Sequence, residues 1–396
     1  MTTSRKCWCY STDLLDFGPE YGECRSCGTL VSFRGLSSEQ LLVQNDETDF
    51  YGKKYWMEHQ SQDLGFPDIY SRARTDLTER NLHWLKTLLK YRVPPARVLE
   101  LGCAHGGFVA LMCQAGYEAS GVEMSPWVVE FGKKTFGTPI FTGPVESLEL
   151  PPCSFDAIVL MDVLEHLPDP LSTMSHCLKL LKSDGLLLIQ APQFKEDMDY
   201  TKLMATDAAF LKQLKSDEHL YLFSKRSVTE LFRRLHAEYI QFEPAIFSHY
   251  DMFFVVSKEP LLSISKNTIE NVLSTSPNSR IIQALIDLDD QCQTLKSKCL
   301  DNETDLAARL AVIHKLGAQL QEFEAKLLES ETDRIVLLDK IAELDDKIHT
   351  YQEEICRREK YLAEVKMSTC WRFTAPLRYL KTLFMKMKSI SRALLL

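Results

Sequence analysis

From Leu285 to Val365 apolar residues recur every seven positions without a phase break. That pattern permits essentially one structure, a long helix whose stripe packs against another helix in a coiled coil. One seam runs through Leu285, Cys292, Cys299, Leu306 and onward to Leu362, and the second runs three residues later from Leu288 to Val365. Of the 24 seam positions, 19 are apolar or Cys, so the stripe is continuous enough to demand cover. Lone helices with such a face would expose it to water, so self-association is expected. Asn302, Arg309, Arg334 and Arg358 lie in the seam and favour one register. Ile and Leu occur in both seam sets, which leaves dimer and trimer open.

The rest of the 396 residues divides around this rod. Residues 1–45 are Cys-bearing and rich in turn residues. Residues 46–258 alternate helical and strand patterns, 259–284 are polar with Pro260 and Pro277 and read as a linker, 285–366 are the coil, and 367–396 form a tail. The first ten residues are polar, and no stretch reaches 18 consecutive apolar residues. Twelve cysteines in that setting argue for thiols and metal ligands over disulfides. The expectation is a cytoplasmic protein. Net charge is −9, which excludes nucleic-acid binding by the chain as a whole. Residues 366–396 nevertheless hold seven Lys or Arg and no acid, a local +7.

The middle region predicts a parallel α/β sheet. RVLELG (97–102), EASGVEMS (118–125), TPIFTG (138–143), FDAIVLMDVL (155–164) and GLLLIQAP (185–192) read as strands separated by helices. Apolar runs without alternation suit strands covered on both faces. YIQFEPAIF and DMFFVVSKE follow a helix near 226–237 and are close enough to form a hairpin. After the first strand, VLELGCAHGGF makes a tight turn in which Gly102, Gly106 and Gly107 let the backbone bend and approach a ligand. Glu123 closes the second strand, where a carboxylate can accept both hydroxyls of a ribose. Turn and acid together predict a bound nucleoside.

These residues resemble the class I S-adenosylmethionine-dependent methyltransferases, particularly the bacterial group with "EH" after the fourth strand. The likeness covers about Leu82 to Lys258. Glu100, Gly102 and Gly106 fall on the first motif, Glu123 on the ribose-binding acid, and SFDAIVLMDVLEHLPDP (154–170) on the fourth-strand motif. The resemblance implies a seven-stranded, mostly parallel Rossmann-like sheet with a reversed final hairpin. Ala104 stands where the family usually has Gly, and the small replacement is expected to keep cofactor binding. Glu146 is implied near the adenine, and Asp162 and Glu165 at the cofactor or in its loop. YGKKYW (51–56) resembles the segment that lies over the cofactor. An acceptor hydroxyl calls for a base, and His219, in DEHLYLFSKRS, and His166 are the candidates. The rival reading, a dinucleotide dehydrogenase, wants a third Gly three residues after the second. Here the spacing is Gly102-x-Ala104-x-Gly106.

Cys7, Cys9, Cys24 and Cys27 form a C-x-C pair, fourteen residues, then a C-x2-C pair. Four thiolates so grouped can complete a tetrahedral structural zinc, which would supply folding energy to a segment with too few apolar residues of its own. Gly28 gives the tight turn such knuckles use. Cys103 sits in the Gly-rich turn, where methyl transfer from a sulfonium needs no nucleophile, and Cys113, Cys153 and Cys177 read as packing residues.

STCWRFTAPLRYLK (368–381) follows the rod. Pro376 should start a new helix in which Leu380, Leu383, Phe384, Met387, Ile390 and Leu394 share one arc, flanked by Arg378, Lys381, Lys388 and Arg392. That is the pattern of an interfacial helix on anionic lipid, here at the inner face of the cytoplasmic membrane. Docking on a glycosyltransferase through Trp371 and Phe373 is the other reading. The segment and the layout resemble bacterial surface-polysaccharide proteins, including methyltransferases that cap O-antigen chains in lipopolysaccharide synthesis. The resemblance implies methylation of a sugar hydroxyl in a surface glycan. The alternatives are a soluble deoxysugar or small-metabolite methyltransferase, and a coiled-coil scaffold with an inactive catalytic domain.

Overall fold

The computed structural model describes residues 5–63 and 65–393, with side chains at all of these except 38 and 388–393. Two compact units result, residues 1–294 and 295–396.

In the first unit, β1 (Leu14–Phe17), β2 (Tyr21–Cys24) and β3 (Leu30–Ser32) form a small antiparallel sheet, followed by α1 (Ser38–Leu41). A π-helical stretch, Tyr55–Asp63, leads to α2 (Ile69–Asp76) and α3 (Leu82–Tyr91). The main sheet then alternates with helices: β4 (Arg97–Leu101), α4 (Gly107–Ala115), β5 (Glu118–Glu123), α5 (Pro126–Phe136), β6 (Ile140–Thr142), β7 (Phe155–Met161), α6 (Pro170–Leu180) and β8 (Leu181–Pro192). After α7 (Tyr200–Thr206), β9 (Tyr221–Leu222) and α8 (Lys225–Arg234), the hairpin β10 (Tyr239–Glu243) and β11 (Asp251–Ser257) completes it. The order is β10-β11-β8-β7-β4-β5-β6, with β11 antiparallel to both neighbours and the β8-β7-β4-β5-β6 pairings parallel. This is the expected Rossmann-like sheet, and its strands lie where the apolar runs place them.

Helix ends are written in the local sequence. Ser125 accepts from Val128 N with Pro126 behind it, and Asp169 accepts from Ser172 N with Pro170 behind it, so α5 and α6 open on a cap followed by a residue preset for helix. Gly116 (φ +103°) and Gly137 (φ +67°) close α4 and α5 in the left-handed region. Strand side chains alternate between two cores. Leu99, Leu101, Ile158, Leu160, Leu187 and Ile189 enter one, and Val98, Ala157, Val159, Leu186 and Leu188 the other. A sheet buried on both faces needs runs of apolar residues, and β7 is buried at every position but Asp156.

The four-cysteine segment is not a free-standing module. β3 pairs with β9 (Leu30 with Leu222, Val31 with Tyr221), and Cys7, Trp8, Cys9, Cys24 and Cys27 pack in the same core as Val228, Leu231 and Phe232 of α8. The stretch 259–284, which reads as a linker in the sequence, is folded. It contains α9 (Lys266–Leu273) and the start of α10 (Pro277–Met367). Its polar residues are caps: Ser265 accepts from Thr268 N and Ser276 from Ser279 N. Leu273, Ile282 and Ile286 are buried with Leu85, Leu88 and Leu89 of α3. Cys153, expected to pack, is exposed, at φ +51° in a turn.

In the second unit α10 continues to Met367 as one helix, 91 residues from its start and so about 135 Å long. The seam residues there stand open, with Leu320 60% and Ile341 54% exposed. α11 (Thr369–Phe373) is capped by Ser368, and α12 (Ala375–Ala393) begins beside Pro376. Leu380, Leu383, Phe384 and Met387 are exposed on α12. The side chains expected at Lys388, Ile390 and Arg392, and residue Leu394, lie outside the described residues. No helix among the described residues is long and apolar enough to cross a membrane.

Because Leu273 is fully buried against α3, Leu273→Ala is expected to cost the first unit about 2–5 kcal/mol. Urea denaturation followed by tryptophan fluorescence checks this. A chain ending at residue 258 should melt below one ending at residue 294.

Candidate active site

β5 leaves β4 toward one edge of the sheet and β7 leaves it toward the other, so a crevice opens beyond the carboxyl end of β4. A cleft of about 610 Å³ lies there. Its floor is the turn after β4, where Gly102 (φ +63°), Ala104 (φ +49°) and Gly106 (φ +74°) all take left-handed conformations. A Cβ on Gly102 would stand 2.5 Å from Val163 Cγ2, and one on Gly106 would stand 2.8 Å from Ile140 Cδ1. Ala104 holds this conformation at a cost of about 1–2 kcal/mol, the physical reason for a Gly preference there. The Ala104 N–H donates to Glu123 Oε2 at 3.0 Å, which pins the turn to the end of β5.

Glu123 is buried and accepts two further backbone bonds, from Met124 N (2.7 Å) and Ser125 N (3.2 Å). Burial pushes its carboxyl up, and these three donors oppose that shift. Glu100 is buried on β4 with Oε2 unpartnered, and burial, then the nearby Glu123, hold its carboxyl well above the usual range. Glu146 lies exposed at the rim, accepting from Thr173 Oγ1 at 2.5 Å. Asp162 (φ +57°), just past β7, accepts from Gln190 Nε2 at 3.1 Å and sits 3.8 Å from Arg80 Nη1. Trp84 Nε1 donates to Gln190 Oε1 at 2.9 Å, which fixes the amide.

The two histidines meet on the far side of the cleft. Their rings pack edge to face with centroids 4.8 Å apart. His166 Nδ1 donates to the Glu218 carbonyl at 2.9 Å, and His219 Nδ1 to the Gln213 carbonyl at 2.7 Å. Burial drives both imidazoles down, His219 well below the ordinary value with His166 adding to the effect, which favours their neutral forms. Glu165 is buried beside them, its carboxyl raised well above normal by burial and then by Asp162. Asp251, at the start of β11, is pushed up to about 8 by burial and by Asp162. Tyr51, Tyr55 and Trp56 also line the cleft, and Tyr51 Oη lies 3.2 Å from His166 Nδ1. Gln190, Asp251 and Arg80 are functional candidates that motif reading misses. Gln190 had a signal, being the single polar side chain in the run GLLLIQAP (185–192).

Residues 73–241 match the family model described as a methyltransferase domain. A ubiquinone biosynthesis O-methyltransferase of Xanthomonas campestris is 33% identical over 103 residues, 24% of this chain and 43% of that protein. One of Haemophilus ducreyi is 37% identical over 103 residues, 24% of this chain and 44% of that protein. The chain thus spans less than half the length of the curated relatives it matches. Among solved structures, magnesium protoporphyrin IX methyltransferase of Synechocystis gives a TM-score of 0.37 at 15% identity, covering 52% of this chain and 98% of that one. Phosphoethanolamine N-methyltransferase 2 of Haemonchus contortus gives 0.36 at 17%, covering 46% and 52%.

The four N-terminal thiols are buried and grouped. Cys7 and Cys27 Sγ are 3.5 Å apart, and Cys9 and Cys24 Sγ are 3.6 Å apart. Four sulfurs about 2.3 Å from one ion lie about 3.8 Å from each other, so the donor set fits a tetrahedral Zn²⁺. Tyr10 (φ +71°) and Gly28 (φ +74°) make the matching turn after each pair. Thr29 Oγ1 accepts from Trp8 Nε1 at 2.9 Å and lies 3.2 Å from Cys27 Sγ, an outer support for that ligand. Purified protein is expected to hold one zinc per chain by elemental analysis, and Cys24→Ser should release it and lower the melting temperature.

Proposed function

We propose that the chain is an S-adenosylmethionine-dependent O-methyltransferase, with a structural zinc on Cys7, Cys9, Cys24 and Cys27. The observation that carries the reading is Glu123, a buried carboxylate bound to the glycine-rich turn at the mouth of a cleft that also holds Glu100, Asp162, Glu165 and Asp251. Crowded carboxyls with raised protonation favour a cationic ligand, because positive charge relieves their repulsion. The cofactor supplies an activated methyl on a sulfonium. Glu123 is placed to accept the ribose hydroxyls, and Gly102, Ala104 and Gly106 form the backbone cradle. Glu146 stands at the rim implied for the adenine. His166 and His219 face the acceptor side as neutral imidazoles, suited to handling the proton of a hydroxyl.

For the acceptor we favour a sugar hydroxyl of a surface glycan, on the strength of the Trp371–Arg378 segment and of the rod-bearing layout. Chain capping is the sharper form of that reading. The curated relatives support a second acceptor class, a hydroxyl on an intermediate of ubiquinone biosynthesis, the process in their names. Mass spectrometry of the host's surface glycan with and without the protein separates the two, since an unchanged methyl content removes the sugar reading.

The exposed seam of α10 supports self-association, and the exposed apolar residues of α12 beside Arg378 and Lys381 support attachment to an anionic membrane surface. Light scattering of the full chain should give a dimer or trimer that Leu320→Asp with Ile341→Asp shifts toward monomer, and a monomeric wild type would reject the coil.

The test of the central reading is calorimetry with S-adenosylmethionine. Glu123→Ala should weaken binding about 10- to 100-fold, given roughly 1.5–3 kcal/mol for a charge-assisted hydrogen bond. Absent binding in the wild type would overturn the assignment.

A further inference from the structure

Glu165 is 1% exposed, yet neither carboxyl oxygen has a hydrogen-bond partner among the described residues. Burying such a group without a partner is costly. The nearest base, His166 Nε2, lies 4.0 Å from Glu165 Oε1, too far for a hydrogen bond. The donor atoms of Glu165, His166 and His219 all fall within 4.8 Å of one another. Both imidazoles are held from behind, each Nδ1–H donating to a backbone carbonyl. That bond fixes the tautomer, turns the Nε2 lone pair forward and raises its basicity, as outer supports of metal-binding histidines do.

We propose that Glu165, His166 and His219 bind a divalent first-row cation whose remaining positions open to the cleft. Two imidazoles and one carboxylate suit such an ion, whereas an all-oxygen set would suit Mg²⁺ or Ca²⁺. Ligands about 2.1 Å from an ion stand roughly 3.0–3.4 Å apart, so small side-chain rotations close the observed spacing. Asp162 and Asp251 line the same cleft as the three ligands, as do Lys215 and Arg80.

The role of the ion rests on the methyl-transfer reading, but the site does not. A cation there orients an acceptor hydroxyl and lets it release its proton to water more readily. His219 then serves as a ligand instead of the base expected from sequence, because the ion would acidify the hydroxyl and water would take the proton.

The probe is Mn²⁺, titrated into the full-length protein after dialysis against citrate, with free ion read by electron paramagnetic resonance. Mn²⁺ is a poor match for the four thiolates, so the zinc cluster does not compete. One ion per chain is expected, weakened at least about tenfold in Glu165→Gln and in His219→Ala, a loss near 1.4 kcal/mol. Far-UV circular dichroism spectra and melting temperatures close to those of the wild type show that these variants are folded. No Mn²⁺ binding tighter than about 1 mM, or equal binding in wild type and both variants, overturns the site. Protein that binds S-adenosylmethionine but not Mn²⁺ removes the cation and keeps the methyltransferase reading, and the reverse result does the opposite.

Discussion

The hydrogen bond from Ala104 N–H to Glu123 ties two adjacent strand ends together, and the site is built outward from it. The turn after β4 must reverse within a few residues, and three left-handed residues at 102, 104 and 106 achieve that. Such a backbone is not stable by itself, because the Ala costs energy there and Gly is entropically free to leave. The carboxylate of Glu123 compensates by accepting three backbone N–H groups in a setting where water is excluded. The same residue thereby shapes the cradle and charges it. Its burial and its hold on the turn have one origin, the position of β5 beside β4.

Around that pair the cleft concentrates acids that an unliganded interior disfavours. Glu100, Glu123, Glu165 and Asp251 are all raised, with burial the first cause in each. The sign of the linkage follows. A carboxyl whose folded value is raised destabilises the fold once pH exceeds its unfolded value, and the penalty grows until the folded value is passed. For Asp251 that window runs from the ordinary carboxylate range to about 8. A cationic ligand reverses the penalty by favouring the charged form.

The sheet was legible because its strands are apolar runs bounded by Gly and Pro, and the turn because Gly102 and Gly106 frame it. Ala104 was legible as a departure, while its left-handed φ needed the backbone. The fold of 259–284 was hidden because Ser265 and Ser276 look like linker residues when they are caps, and Leu273 and Ile282 reveal their role only against Leu85 and Leu88 of α3. Glu165 and His166 stood in the motif. Their relation to His219, more than fifty residues on, arises from tertiary folding, in which Leu220 N donates to the Glu165 carbonyl. Asp251 had no local signal at all.

That tertiary relation depends in turn on the cysteine segment. Tyr21 Oη donates to the His219 carbonyl at 3.1 Å, and Ser32 Oγ donates to the Ser216 carbonyl at 2.6 Å. Ser32 N donates to the Leu220 carbonyl, and β3 pairs with β9 immediately beyond. The loop carrying His219 is therefore held by the small sheet, whose one face packs the four thiols and Trp8 against α8 and whose other face packs Phe17, Tyr21 and Leu30 against Phe194 and Phe210. A metal on the thiols would cross-link this segment further. Order at the cysteines would thus reach the imidazole that lines the cleft through the Tyr21 and Ser32 side chains and the β3–β9 pairing. A cluster with no open coordination position can govern the site in this way, by fixing where His219 stands.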